Sequence, residues 1–145
     1  MDIVNNSEGP GPFGRVGYYE AWNFNRPCLN LRAQNANTDG TYTIIHWAFA
    51  EVNSDWSVKI VDEFNQWEGF KQLTDVKRVI SFGGWGYSTS ADTYDILRQA
   101  MMPANREVFA TKVLAFLSAE KLDGVDFDWE YPGVSPLSTS RTCEC

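Results

Sequence analysis

The sequence predicts an α/β fold, in which helices cover a sheet of parallel strands. Segments with strand patterns and segments with helix patterns alternate along most of the 145 residues, and this alternation is typical of parallel sheets. Phe109, Val113, Phe116 and Leu117 recur at helical spacing, which predicts a helix with one buried stripe. Near the end of the chain, acidic and apolar residues alternate between an Asp-Gly pair and a Pro-Gly pair. This period of two predicts a strand.

The same patterns justify the elements in chain order. About four strand–helix units are predicted, with no internal repeat and no second domain. The predicted elements are a strand at about 15–22, an Asn-rich loop at 23–40, a strand at 42–52, a turn at 53–55, a helix at 64–74, a strand at 77–82, a helix at 91–102, a helix at 104–121 and the acidic strand at 125–131. Residues 1–14 are polar and rich in Gly and Pro, so a disordered lead-in is expected there.

The acidic strand is predicted to place its carboxylates on one side. Because side chains change face at every residue, Asp126, Asp128 and Glu130 share a face, about 6–7 Å apart. The other face is apolar and is expected to pack inside the protein; it carries Val125, Phe127, Trp129 and Tyr131. Carboxylates that repel one another in partial burial raise the pKa of at least one of them. A carboxyl group that stays protonated near neutral pH suits general acid catalysis, so the strand is predicted to be catalytic.

Metal binding is the alternative interpretation of this strand. A calcium loop of the EF-hand type needs Gly at its sixth position and Glu at its twelfth. Counted from Asp126, these positions hold Tyr131 and Leu137, which excludes that type of loop. An open magnesium or manganese site remains an alternative, because such cations accept carboxylate ligands.

Four stretches of the chain resemble one enzyme family. Residues 123–130 resemble the DGxDxDWE signature of the glycoside hydrolase family 18 chitinases. Three further stretches resemble successive barrel strands of that family, the last with its SxGG motif: 15–22, 44–50 and 79–85. The sequence of residues 18–28 is most similar to that of the fungal branch related to killer-toxin chitinases. The resemblance covers about residues 15–133 and implies a (β/α)8 TIM barrel. Such a barrel needs about 250 residues, so this chain is expected to carry its first four strand–helix units.

The resemblance also implies roles for individual residues. In this family the N-acetyl group of the substrate attacks its own sugar, so the protein supplies no nucleophile. Glu130 is then the general acid, Asp128 orients the acetamide and stabilises its positive charge, and Asp126 shares a proton with Asp128. The candidate substrate-binding residues are Tyr18, Phe49, Ser81, Gly83, Gly84, Trp85 and Tyr131. No cofactor and no metal are implied.

Places in the predicted elements suggest further roles. Gly83 and Gly84 are expected to let the backbone approach the sugar closely, and Trp85 is expected to stack on it. Phe49 would form a wall of the pocket. Trp22 and Tyr87 are weaker candidates for stacking. Four other residues are predicted to be structural. Trp47 and Trp129 are expected to pack between strands and helices, and His46 is expected to be buried within a strand. Asp123 is expected to lie at the turn into the acidic strand.

Composition limits the partners. The formal net charge of −7 argues against nucleic acid, which binds basic surfaces. No apolar run approaches the ~20 residues of a membrane span. Chitin or a chitooligosaccharide is the partner that the resemblance implies, and the oligomeric state is not predicted. Family members of this kind are usually secreted, yet the start lacks the basic and apolar regions of a signal peptide, so an upstream segment is expected to be missing.

The last residues depart from the family pattern. Residues 134–145 have no apolar periodicity, so a tail foreign to the family is expected, from a misplaced exon boundary or a frameshift. A natural short splice form is the alternative. Two of the three cysteines, Cys143 and Cys145, lie in this tail. Three cysteines leave at least one unpaired, and Cys28 could pair with a residue outside the chain.

The function that the resemblance implies is a chitinase that cuts β-1,4-linked N-acetylglucosamine polymers with retention. Two alternatives belong to other classes of protein. A chitin-binding lectin on the same fold would normally lack the acid or the middle carboxylate, whereas Asp126, Asp128 and Glu130 are all present. An inactive fragment is the other alternative, because four strands do not close a barrel.

Overall fold

The fold is a sheet of mainly parallel strands with helices packed on one face. A computed structural model describes residues 13–28 and 30–133 of the 145-residue chain. The strands are β1 (Val16–Glu20), β2 (Ile44–Val52), β3 (Val58–Ile60), β4 (Lys77–Gly83) and β5 (Gly124–Asp128). The α-helices are α1 (Trp67–Lys71), α2 (Gly84–Thr89), α3 (Ile96–Ala100) and α4 (Arg106–Glu120). Strands β1, β2, β4 and β5 lie side by side in parallel, which confirms the predicted α/β architecture.

One strand was not predicted. β3 pairs antiparallel with the end of β2, where Ala50 lies opposite Ile60. The connection is a tight turn in which the Asp55 carboxylate accepts hydrogen bonds from the backbone and the hydroxyl of Ser57. Three residues are too short to show a period of two, and β3 therefore lies in a segment that the patterns describe only as a connection to a helix.

The predicted helices differ in how well they match. The helix predicted at 104–121 is α4, and its stripe faces the core as expected: Phe109 and Val113 are buried, while Phe116 and Leu117 are partly buried against them. Of the helix predicted at 91–102, only α3 (Ile96–Ala100) forms; α2 (Gly84–Thr89) lies before the predicted range and was not predicted. α2 ends at Ser90, whose backbone is extended (ψ 140°) and whose carbonyl accepts hydrogen bonds from Thr93 and Tyr94.

The hydrophobic core lies between the helices and one face of the sheet. The side chains that alternate onto that face are apolar and buried, among them Tyr19, Ile45, Trp47, Ile80 and Phe82. Helical side chains cover them, chiefly Phe70, Leu97, Phe109 and Val113. Trp47 is fully buried, with its ring 5.0 Å from that of Trp67. The opposite face of the same strands carries polar residues, and the candidate functional residues lie there.

The apolar side of β5 is less buried than predicted. Phe127 lies 5.6 Å from Phe82 and 5.9 Å from Phe109, measured between ring centroids, yet 39% of it remains exposed. Val125 is exposed as well. The reason is position in the sheet: within the described part of the chain β5 pairs with β4 alone, so neighbours cover only one flank of its side chains.

Asp123 has the structural role that its position predicts. Its carboxylate accepts a hydrogen bond from the backbone N–H of Arg78 at 2.8 Å, and its own N–H donates to the Arg78 carbonyl, also at 2.8 Å. These two bonds join the start of β5 to the start of β4.

Gly83 and Gly84 are required by neighbouring protein atoms. Both have positive φ angles, +113° and +77°, a region that residues with side chains rarely adopt. A Cβ on Gly83 would lie 2.2 Å from the carbonyl oxygen of Asp128, and one on Gly84 would lie 2.7 Å from the ring of Phe49. The predicted reason, close approach of a sugar, is therefore not needed to explain them.

We expect Gly83→Ala to destabilise the fold by at least about 3 kcal/mol, because it adds a backbone clash to an unfavourable φ angle. Urea unfolding of a folded protein that contains this chain measures the effect. Gly86→Ala is the matched control, since no atom lies within 4 Å of the added Cβ there and Ala is the better helix former. Equal stability of the two variants would contradict this explanation of Gly83.

Several expectations fall at the margins of the structure. The predicted lead-in up to residue 12, the tail at 134–145 and the cysteines within it lie outside the described residues. Cys28 is exposed and makes no disulfide with any described residue. Among the described helices, none is both long and apolar enough to cross a membrane.

Candidate active site

Four parallel strands each contribute one residue to a polar cluster around Asp126. Its Oδ2 atom accepts hydrogen bonds from the Tyr18 hydroxyl at 2.9 Å and from the Ser81 hydroxyl at 2.6 Å. Nδ1 of His46 lies 3.2 Å from the same oxygen. In the strand register Ser81 is opposite Asp126, and Tyr18 is opposite His46. The polar face of the sheet thus directs three groups to one carboxylate oxygen.

These contacts keep Asp126 ionised. Burial raises the pKa of Asp126, but the hydrogen bonds from Ser81 and Tyr18 and the proximity of His46 outweigh burial, so the pKa lies below its ordinary value. Repulsion among the carboxylates was predicted to raise the pKa of at least one of them, and Asp126 is not that one. The physical reason is the set of donors, which the alternation of acidic and apolar residues does not reveal.

Tyr18 remains a neutral donor. Burial, the hydrogen bond to Asp126 and the negative charges of Asp126 and Asp128 raise the pKa of Tyr18 to about 12. Its hydroxyl therefore keeps its proton and donates it in the bond to Asp126.

Asp128 and Glu130 follow Asp126 at the end of β5. Asp128 is the last residue of the strand and lies opposite Gly83, on the same face as Asp126. The strand ends there, three residues before its predicted end at Tyr131. Glu130 is positioned differently: its backbone N–H donates to the hydroxyl of Ser88 at 3.0 Å. Ser88 is buried in α2.

Aromatic residues surround the cluster near the carboxyl ends of β1 and β2. Phe49 stacks on Trp22 at 5.4 Å with an angle of 11° between the rings, and lies 6.5 Å from Tyr18. Phe49 also contacts the backbone at Gly84. Trp85, at the start of α2, is 62% exposed, and Tyr131 is exposed too. Both rings are accessible to a ligand.

Other aromatic residues belong to the core. The Tyr87 hydroxyl donates to the carbonyl of Val52 at 2.6 Å, and its ring packs against the core, so Tyr87 is unsuited to stacking on a sugar. Trp47 and Trp129 pack in or against the core as predicted. The guanidinium of Arg98 lies 5.6 Å from the ring centroid of Trp129.

Sequence reasoning missed two residues of the site. His46 was interpreted as buried structure, but it contacts Asp126 directly. The position of His46 on a strand could have indicated this contact, because the register of the parallel strands places it opposite Tyr18. Ser88 carried no comparable signal, since the contact with Glu130 depends on how α2 packs against the end of β5.

The magnesium or manganese site that the sequence left open finds no ligand set in the described residues. Within 13–28 and 30–133, no group of three or more His, Cys, Asp or Glu side chains is arranged to hold a metal ion.

The match to a known family settles the relationship of this chain. Residues 15–141 match the family described as Glycosyl hydrolases family 18. The chain belongs to this family. The match continues past residue 133, where the sequence interpretation ended the domain, and that boundary stays a prediction.

Two curated fungal proteins are similar to much of this chain. Secreted chitinase LysM12 from Penicillium expansum is 42% identical over 139 residues, which are 94% of this chain and 9% of that protein. The killer toxin subunits alpha/beta of Kluyveromyces lactis are 44% identical over 100 residues, which are 68% of this chain and 9% of that protein. The resemblance to a fungal branch related to killer toxins is confirmed.

Solved family 18 structures share the fold. Catalytic domain 2 of the Ostrinia furnacalis Group II chitinase superposes with a TM-score of 0.66 at 29% identity, over 82% of this chain and 33% of that one. A mutant of the same domain has been solved in complex with penta-N-acetylchitooctaose. The predicted barrel class is confirmed, and the parallel strands described here are part of such an α/β barrel. The chain spans about a third of the length of the solved relatives.

Proposed function

We propose that this chain contributes the acidic site of a chitinase that hydrolyses β-1,4-linked N-acetylglucosamine polymers with retention, assisted by the substrate. One observation carries the proposal. A carboxylate held ionised by three groups, Asp126, shares a face of β5 with Asp128, and Glu130 follows two residues after the strand ends. The name of the Penicillium expansum relative, a secreted chitinase, agrees with it.

Each carboxyl group has a different role in the proposed chemistry. Glu130 protonates the leaving glycosidic oxygen and later activates water. Asp128 orients the acetamide, whose oxygen attacks the anomeric carbon of its own sugar to give an oxazolinium ion. Asp126 and Asp128 act as a pair that shares one proton. The ionised Asp126 is suited to this arrangement, because it can accept a hydrogen bond from its neighbour.

The proposed substrate contacts divide into two groups. Trp85, Tyr131 and Phe49 offer apolar surface, and the exposed rings of the first two suit the flat C–H faces of sugar rings. Tyr18 and Ser81 act on Asp126, to which both donate. Gly83 and Gly84 shape the strand end beside Asp128 and Phe49, and they leave that end without side chains that would obstruct a ligand.

Location and partner follow from the same relatives. A protein named as a secreted chitinase is 42% identical to this chain, and we propose that the protein carrying this chain acts outside the cell on chitin or chitooligosaccharides. Because the chain spans only 9% of the length of each of the two fungal relatives, the activity belongs to a larger catalytic domain in this proposal.

The test compares two oligosaccharides on a complete family 18 catalytic domain that contains this chain. Chitotetraose should be hydrolysed, whereas cellotetraose should not, because glucose lacks the acetamide oxygen that attacks the anomeric carbon. Product release by chromatography measures both reactions. A thiazoline mimic of the oxazolinium ion should inhibit the first reaction.

Comparable hydrolysis of the two tetrasaccharides would contradict substrate assistance and would make Asp128 a nucleophile. Absence of hydrolysis with normal binding of chitotetraose would instead favour a chitin-binding lectin.

A further inference from the structure

His46 is the least expected member of the cluster around Asp126. It lies on β2, two strands away from β5, and the intervening strand is β4. Only 12% of its side chain is exposed. The ring is held between two partners: Nδ1 is 3.2 Å from Asp126 Oδ2, and the ring centroid is 4.6 Å from that of Tyr18. A single preferred orientation follows from this packing.

The direction of the hydrogen bond can be assigned. The pKa of Asp126 is lowered, so its carboxylate offers only acceptor atoms. Nδ1 of His46 must therefore carry the hydrogen, whether the ring is neutral or charged. Within the described residues, every hydrogen bond to the Asp126 side chain goes to Oδ2, which leaves Oδ1 as the oxygen available to other groups.

Each donor reaches Asp126 from a different strand. Tyr18 comes from β1, His46 from β2 and Ser81 from β4. Tyr18 is 48% exposed, so water can compete for its bond. Ser81 and His46 are shielded, and they make the contacts that solvent replaces least readily. Of these two shielded groups, only His46 can also carry a positive charge.

We propose that His46 is a positioning residue for the reaction, whose Nδ1–H fixes the Asp126 carboxylate at Oδ2 and so turns Oδ1 toward Asp128. This role rests on the proposed function, because it acts through the carboxylate pair. The titratable groups that face His46 are Tyr18 from β1 and Asp126 from β5, while β4 presents the neutral hydroxyl of Ser81. Burial raises the pKa of Asp126, and the contact with His46 is one of the contacts that lower it. Loss of the His46 donor is therefore expected to move the titration of Asp126 to higher pH.

Three substitutions separate positioning from packing. In His46→Asn, the amide nitrogen sits one bond from Cγ, as Nδ1 does, so the donor is kept. In His46→Gln, the same amide lies one carbon farther out and misses Oδ2. His46→Leu removes the donor and keeps an apolar side chain of similar bulk. The two amide variants are alike in polarity, so their comparison stands even where the leucine variant folds poorly.

The variants are made in a complete family 18 catalytic domain that contains this chain. Hydrolysis of chitotetraose should fall about 10- to 100-fold in kcat for His46→Leu and His46→Gln, the range of a hydrogen bond to a charged group, with a smaller change in KM. His46→Asn should recover most of that loss. The acid limb of the kcat/KM profile should move to higher pH in the leucine and glutamine variants.

A second measurement does not depend on activity. Carbon-13 NMR of the aspartate carboxyl groups should show the titration midpoint of Asp126 raised in His46→Leu and His46→Gln and close to the parent value in His46→Asn. Equal losses of activity in the asparagine and glutamine variants, or an unchanged Asp126 midpoint in all three, would overturn the proposal. If the parent domain hydrolyses no chitin oligomer, the proposed function fails, whereas the Asp126 titration still decides whether His46 holds this carboxylate.

Discussion

Replacing Glu130 by Gln in a complete catalytic domain that contains this chain is expected to abolish hydrolysis of chitin oligomers and to leave their binding largely intact. The change keeps the size of the side chain and removes the acidic proton. General acid–base catalysis contributes about 10²–10⁴-fold, so kcat should fall at least that far. The backbone bond from Glu130 to Ser88 does not involve the side chain and should persist in the variant.

Glu51→Gln is the matched control for this prediction. Glu51 lies on β2 and pairs with Lys59 at 2.8 Å on the surface, and such exposed pairs contribute about 0–1 kcal/mol. Release of chitobiose measures turnover, and titration calorimetry with chitotetraose measures binding. Near-normal turnover in Glu130→Gln would remove Glu130 from the role of general acid. A large loss of turnover in Glu51→Gln would show that charge removal alone affects the domain.

The 145-residue chain expressed by itself is expected to fold poorly and to release no measurable chitobiose. In the described part of the sheet, β1 and β5 are each paired along one side only, and unpaired edges promote aggregation. The core covers one face, while the other carries the half-exposed Tyr18 and the partly exposed Asp126. A catalytic pocket that lacks most of its walls loses the positioning on which rates depend, at least about 10²-fold.

Circular dichroism on heating and product analysis test this second prediction. We expect no cooperative transition, and activity only when the same residues form part of a complete catalytic domain. A cooperative melt together with release of chitobiose would contradict the prediction. Size-exclusion chromatography would then show whether two copies associate to complete the barrel.

The sequence predicted those elements whose pattern is both long and local. The apolar stripe of α4 covers several turns, and a helical period can be recognised within a single segment of the sequence. β3 has only three residues, which are too few to show the two-residue period of a strand. The predicted helix at 91–102 is shortened to α3 (Ile96–Ala100), because the residues before it form turns that include hydrogen bonds to the carbonyl of Ser90. No Gly or Pro marks those turns in the sequence.

The candidate site divides in the same way. The acidic row of Asp126, Asp128 and Glu130 could be predicted because acid and apolar residues alternate within a few positions. The glycines at 83 and 84 were recognised, but the reason for them was not, since Asp128 and Phe49 approach them from other parts of the chain. His46 was interpreted as a buried structural residue, because the sequence of one strand does not show which residues lie beside it in the sheet.

By itself, the sequence determined the family, the parallel α/β architecture and the presence of an acidic strand, because ordered local motifs and alternation encode these features. The tertiary structure decided the state of Asp126. Its partners Tyr18, His46 and Ser81 are 108, 80 and 45 residues away along the chain. Only the pairing register of four strands brings them to one oxygen. The direction of a pKa shift depends on such contacts, because burial and hydrogen bonding oppose each other and their balance is set in three dimensions.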